Sequence, residues 1–373
     1  MKRWLARLGL VLGATGLALV MAELCCRAAG WGSPTSADDL VVEWVPSDAF
    51  EAAPWTPPPQ GLQRRDLGVV MRPDWSGSIT WRRATDGALL LEQPVRTSSL
   101  GLRGGEHAPT PEPGVFRLLG VGDSVTFGQG VAADQTFLAV AEDLLADQHR
   151  VELINAGVPS WDLRQQLRWI EHRGLALEAQ LLLVFFYVND LVPISYPDPD
   201  HALPRLSLEA PAWARGEAGL RRHSWLFNKL WRTVERGRLG AALLEGYDSE
   251  VELIRARSSQ AQVADRYRDL AGVCADARQA CGVVVLPSFV PPGADDGADI
   301  LDMAAAAAAE AGLQVLRLDR AVDGIDLADR FVLPGDQHPS ARAHRALGQA
   351  LARQLEPGLR TWEAAQPRPL GND

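Results

Sequence analysis

From residue 115 onward, two hydrophobic rhythms alternate along this chain. Short, nearly continuous apolar runs lie at 115–121, 151–155, 180–186, 282–286 and 313–318. Between and after them, apolar residues recur at helical spacing over 135–147, 162–173, 258–280, 297–311 and 340–355. Strands apolar on both faces, alternating with amphipathic helices, predict a parallel sheet covered on both sides: a three-layer α/β/α domain. The earlier residues differ. Residues 28–64 are rich in Pro, Trp and Ser and read as a tether. Residues 66–100 carry short alternating stretches such as Gly77–Trp81 and Ala88–Leu91, which predict a small β extension. Residues 105–114 are turn-like. The stretch 191–257 has Pro193, Pro197, Pro199 and Pro204, then Arg221, Arg222, His223, Trp225, Lys229, Trp231 and Arg232. It is too long for a plain connection and is expected to form a cap-like insertion. The expected organisation is therefore 1–27, an anchor; 28–113, tether and β extension; 114–357, the main domain; and 358–373, a tail.

At 373 residues, 47% of them hydrophobic, the chain can bury a sizeable core. A net charge of −10 makes nucleic acid an improbable partner, because an acidic surface repels phosphates. At the N-terminus, Lys2, Arg3 and Arg7 precede an apolar run from Leu8 to Leu24 broken only by Glu23. The run is close to the ~20 residues of a spanning helix, and the leading cations favour a cytoplasmic N-terminus. An uncleaved single-pass anchor is the preferred reading, with the following domain outside the cytoplasmic membrane. A cleaved signal comes second, because no small-x-small site follows the run. Lipid attachment at Cys25 or Cys26 comes third, because Leu24 and Cys25 stand where a small residue would precede each. Cys274 and Cys281 lie near the end of a predicted helix. On a continuous helix their Cα atoms would be ~10 Å apart, so a bridge requires the helix to end before Cys281.

The chemistry lies at the strand ends. The first run closes in Gly122-Asp123-Ser124-Val125-Thr126-Phe127-Gly128, a serine at the carboxyl edge of a parallel sheet, where ligands bind. An isolated Gly-Asp-Ser is more often a plain turn. Here three further segments follow in order: Asn155-Ala156-Gly157 after the second strand, Val188-Asn189-Asp190 after the third, and Asp336-Gln337-His338-Pro339 before the last helix. Together these resemble the SGNH (GDSL-like) hydrolase family over about 115–355. The resemblance implies a flavodoxin-like α/β/α fold and an acyl-enzyme mechanism. It implies Ser124 as nucleophile, His338 as base, Asp336 as the acid that orients it, and an oxyanion hole of the Ser124 and Gly157 amides and the Asn189 side chain. Asp123 and Asp190 are supporting residues. No metal or other cofactor is called for. Two departures stand out: Tyr187 replaces the usual glycine of the third block, and Asp-x-His replaces the commoner Asp-x-x-His, whose acid position is Gly335 here. A Ser–His dyad is thus a second reading.

His107, His149, His172, His201 and His223 lack metal-ligand spacing and read as surface or loop residues. His344 is expected on the outer face of the last helix. Trp225 and Trp231 form either a lid or sugar-stacking surface or simple packing of the insertion. The stretch Arg96–Arg103 either borders the site or is only an edge strand and turn. The function expected is an esterase or deacylase acting on carboxylic esters, acetyl esters among them, outside the membrane. Its substrate would be a small acyl ester or an acylated glycan. Two alternatives remain: an O-acyltransferase acting on surface glycans, and an idle carbohydrate-binding domain.

Overall fold

The computed structural model describes residues 2–28, 40–52, 69–83, 87–191, 224, 226–227, 230, 250–257, 259–289, 296–334 and 336–366; of 2–12, 52, 250, 253, 256 and 257 it describes the backbone alone. Five parallel strands form the main sheet: β6 (Phe116–Gly122), β7 (Val151–Gly157), β8 (Leu181–Phe186), β9 (Ala280–Val285) and β10 (Gln314–Arg317). Their order, β10-β9-β8-β6-β7, reverses direction between β6 and β8. In an open parallel sheet that reversal leaves a crevice at the carboxyl ends, the usual place for a ligand. Every residue of β6 is buried.

Helices cover both faces. Successive residues of a strand point to opposite sides. In β6, Leu119 lies toward Trp169 of α4 (Leu163–His172), whereas Gly120 faces Leu138 of α3 (Phe137–Ala146). The cap residues set where these helices start: Thr136 accepts from the Ala139 N–H, and Asp162 accepts from Arg164 and Gln165 in a capping box. A short helix, α5 (Glu250–Arg257), comes before α6 (Gln260–Asp276), which is capped by Ser259. α7 (Ala298–Glu310) follows β9, and α8 (Ala341–Ala365) closes the domain.

Three predicted boundaries are corrected. First, α8 runs ten residues beyond 355, through Pro357. Leu359 is buried, the Trp362 ring packs edge-on against Phe116 at 5.2 Å, and Glu363 meets His149 at 2.9 Å. Residues 358–365 are therefore part of the domain surface rather than a tail. Second, α6 ends at Asp276, four residues short of 280, and this break brings the Cα atoms of Cys274 and Cys281 to 6.2 Å in a disulfide. Third, part of the expected tether is strand. β1 (Leu40–Val45) pairs with β4 (Ser76–Arg83), which pairs with β5 (Leu89–Arg96) in an antiparallel sheet. β2 (Phe50–Ala52) pairs with β3 (Val69–Met71).

This extension packs directly on the main domain. Trp161 Nε1 donates to the Val69 carbonyl at 2.6 Å, and the Trp44 ring lies 5.8 Å from Phe127. The N-terminal helix α1 (Lys2–Ala28) exposes Leu17, Leu19, Val20, Met21 and Leu24. Among the described residues, no helix is long and apolar enough to cross a membrane. Trp225, Trp231, His201 and His223 lie outside the described residues, as does most of 191–257.

Candidate active site

The nucleophile turn is made by close backbone approach. Asp123 caps a four-residue helix, α2 (Ser124–Phe127), by accepting the Val125 N–H at 2.9 Å. Two glycines permit this geometry. A Cβ on Gly122 would lie 2.1 Å from the Thr126 hydroxyl, and one on Gly157 would lie 2.3 Å from the Phe127 nitrogen. The end of β7 therefore sits flush against α2. Asn155 ties the two together: its Nδ2 donates to the Thr126 carbonyl at 2.7 Å.

On the other side, a loop before α8 brings His338 to the serine. Phe331 bridges Pro339, and the Val332 N–H donates to the His338 carbonyl at 3.0 Å, which fixes the loop. His338 Nε2 lies 3.0 Å from Ser124 Oγ, and its Nδ1 lies 2.7 Å from Asp336 Oδ1. The same Oδ1 accepts the His338 main-chain N–H at 2.8 Å. The short Asp-x-His spacing thus closes an Asx-type turn that curls the carboxylate onto the ring two residues on. Because a carboxylate only accepts, Nδ1 is assigned the proton and Nε2 is left as the acceptor for the serine O–H. Burial pushes the Asp336 carboxyl up, but hydrogen bonds from the His338 ring, the His338 backbone and Trp81 outweigh it and hold the acid below its ordinary range.

The predicted oxyanion residues fare differently. The Ser124 N–H has no hydrogen-bond partner among the described residues, and neither does the Asn189 side-chain amide; Asn189 Oδ1 is buried and unpaired. Asn189 lies in a 3-10 turn, Val188–Leu191, directly after β8. Gly157 departs from the expectation: its N–H donates to Asn155 Oδ1 at 2.9 Å and is not free. Its role is the close packing described above. Beyond it, the Trp161 N–H closes a turn onto the Val158 carbonyl at 3.2 Å, with Ser160 at φ 67°, a region that favours glycine.

The supporting acids are wholly enclosed. Burial raises Asp123 to about 6, against lowering by the Val125 N–H and by His338. Burial also raises Asp190 well above the usual carboxylate range, with Asp123 adding to it. Asp190 accepts the Tyr187 N–H at 2.9 Å, which holds the Asn189 turn. The Tyr187 hydroxyl accepts the Phe289 N–H at 3.1 Å, so it is committed to the core. His344 corrects a prediction: it is fully buried and stacks on Phe137 at 5.8 Å. Its Nδ1 accepts the Phe137 N–H at 3.1 Å. Burial lowers its pKa to about 3, with repulsion from His338 and Arg103 adding to it. His149 is also buried, and His107 is paired with Glu152 at 2.8 Å.

Three residues of the β extension reach this site, Trp81 and Gln93 without a sequence signal and Arg103 from the stretch expected either to border the site or to be an edge strand and turn. Trp81 Nε1 donates to Asp336 Oδ2 at 2.6 Å. Gln93 brackets the loop after α2: Nε2 donates to the Gly128 carbonyl at 2.9 Å and to the Val131 carbonyl, and Oε1 accepts the Gly130 N–H at 2.7 Å. Arg103 donates to the Val131 carbonyl at 3.0 Å and places its guanidinium 4.7 Å from the Phe127 ring centre. Arg96–Arg103 thus borders the nucleophile loop.

A serine, an imidazole and a carboxylate in relay, beside unpaired N–H donors at a strand-end crevice, can attack a carbonyl and hold the resulting oxyanion. The chain belongs to the GDSL-like lipase/acylhydrolase family, whose model matches residues 121–346. It is accordingly an ester hydrolase of the SGNH type. Among solved structures it is similar to TesA, at 16% identity and a TM-score of 0.39, over 65% of this chain and 98% of that one. It is similar to a lipase/acylhydrolase from Enterococcus faecalis at 16% identity and a TM-score of 0.39, over 65% and 96%. It is also similar to the acetylxylan esterase Axe2 from Geobacillus stearothermophilus, at 13% identity and a TM-score of 0.41, over 64% and 94%. No curated protein matches it.

Proposed function

We propose that this chain is a serine esterase that cleaves carboxylic esters, acetyl esters among them, through an acyl-enzyme on Ser124. The observation that carries the reading is the continuous chain Ser124 Oγ–His338–Asp336, with contacts of 3.0 and 2.7 Å. His338 takes the serine proton as Oγ attacks the carbonyl carbon, then returns it to the leaving alcohol. Water repeats the sequence and releases the acid. Asp336 holds the ring and stabilises the imidazolium. The Ser124 N–H and Asn189 Nδ2 are the oxyanion donors assigned here.

The same reading places the domain outside the cytoplasmic membrane. Its support is the three N-terminal cations and the apolar run Leu8–Leu24. Membrane fractionation and protease accessibility in intact cells test the placement: a soluble, protease-protected domain would reject it.

The reaction is tested with p-nitrophenyl acetate and longer esters. Turnover that disappears in Ser124→Ala supports the assignment, and turnover that survives rejects it. If added sugar acceptors yield acylated sugar faster than free acid, the acyl-enzyme stands but the protein is a transferase.

A further inference from the structure

We propose that Trp81, from the small antiparallel sheet that precedes the main domain, is a positioning residue for the reaction: its indole N–H fixes the Asp336 carboxylate and, through it, the His338 ring. This deepens the reading above and rests on it.

The argument starts from the two oxygens of one buried acid. Asp336 is 8% exposed. Oδ1 is committed to both N–H groups of His338, at 2.7 and 2.8 Å. Oδ2 is held by Trp81 Nε1 at 2.6 Å, the one hydrogen bond it makes among the described residues. A carboxylate pinned at one oxygen can still swing about the bond to its carbon chain; pinned at both, it presents Oδ1 in a fixed plane. A buried charged oxygen stripped of its donor is costly, and no other described residue donates to it.

Trp81 is itself immovable. It is fully buried, and its strand is paired on both sides, with Val42 opposite it in β1 and Leu91 opposite it in β5. The sheet is in turn docked on the nucleophile loop by Gln93. The extension therefore grips both halves of the triad: the serine's loop through Gln93 and the acid through Trp81. The contact joins positions 255 apart in the chain.

The charged and titratable groups around this point are few. Asp336 faces His338. His338 faces Ser124 and Asp336, and feels Asp123 and His344; Arg103 also acts on His344. None of them offers Oδ2 a donor that would replace the indole.

The test uses the full chain in two forms. Trp81→Phe removes the N–H and some volume. Benzothienylalanine at position 81 keeps the shape and exchanges only the N–H for sulfur, so folding is preserved. Ester hydrolysis is measured across about pH 4–9 beside the thermal midpoint. We expect kcat to fall about tenfold, equivalent to about 1.4 kcal/mol, with KM within about twofold. The acid limb of kcat/KM should move to higher pH, because a carboxylate with fewer donors attracts the imidazolium proton more strongly. In an Asp336→Ala background the same replacement should leave kcat unchanged, because the group it acts through is gone. An unchanged kcat and acid limb in the folded analogue would overturn the proposal, as would an equal loss in both backgrounds. An active wild type indifferent to the exchange rejects this proposal alone. A wild type that neither hydrolyses esters nor takes up a fluorophosphonate at Ser124 rejects the triad reading and this proposal together.

Discussion

Around Ser124, the side that takes the proton is fully hydrogen-bonded, while the side that meets a carbonyl holds donors without partners. On the first side, His338 and both oxygens of Asp336 are engaged, and the acid is held ionised despite its burial. On the second, neither the Ser124 N–H nor the Asn189 side-chain amide has a hydrogen-bond partner among the described residues, and the carboxyl of the adjacent Asp190 is pushed up by burial and the nearby Asp123. The difference teaches which part of the chemistry is preassembled. Proton transfer needs a fixed tautomer and ring orientation, and these cost least when built in advance. Charge stabilisation needs donors that are unused until the oxyanion forms.

The comparison breaks most directly at its shared atom. Ser124→Ala or His338→Ala should lower kcat by roughly 10,000-fold or more in ester hydrolysis, with Asp336→Ala milder than either. A loss as large in Asp336→Ala as in His338→Ala would mean that the acid does more than orient the ring. On the open side, Asn189→Ala should lower kcat by about 100–1,000-fold with little change in KM. A rise in KM alone would make Asn189 a substrate-binding residue. Gly157→Ala sharpens the distinction between a donor and a packing residue. The added methyl meets the Phe127 backbone, so the thermal midpoint should fall by an amount equivalent to about 1–3 kcal/mol. Lost activity with an unchanged midpoint would restore Gly157 as a donor.

The smallest effect concerns pH. His344 titrates near 3 in the fold and near 6.5 when unfolded. Between those values the unfolded chain binds the extra proton, so stability rises with pH through that window. The slope from this one group is at most about 1.4 kcal/mol per pH unit. Subtracting the curve of His344→Gln, which does not titrate, isolates it from Asp123, whose raised pKa acts with the opposite sign. Parallel curves would show that His344 is not buried as a neutral ring.

What is legible in the sequence is the set of short motifs at the strand ends and before the last helix. Ser124 and Asn189 each directly follow a run whose burial forces it into the sheet, and the Asp336–His338 pair stands out by its pattern in the loop before α8. Trp81 was not legible. On an alternating strand, one more buried aromatic reads as packing, and its partner lies in a loop that only the folded chain brings near. The sequence places His344 on an outer face of the last helix, but that face is where α3 packs, and Ala343, His344, Leu347 and Gly348 are all buried. The place of Gly157 after β7 matches the motif and predicts a donor, but the neighbouring Asn155 side chain takes up that N–H. Leu40–Val45 reads as tether in the sequence because its surroundings are rich in proline and tryptophan, yet its pairing with β4 makes it a strand.

The measurement closest to the central claim is covalent labelling of the intact chain with a fluorophosphonate, followed by mass mapping. One adduct, on the peptide containing Ser124, lost in Ser124→Ala and strongly slowed in His338→Ala, is the predicted result. Modification at another residue, or labelling at Ser124 that is as fast without the imidazole, would contradict it.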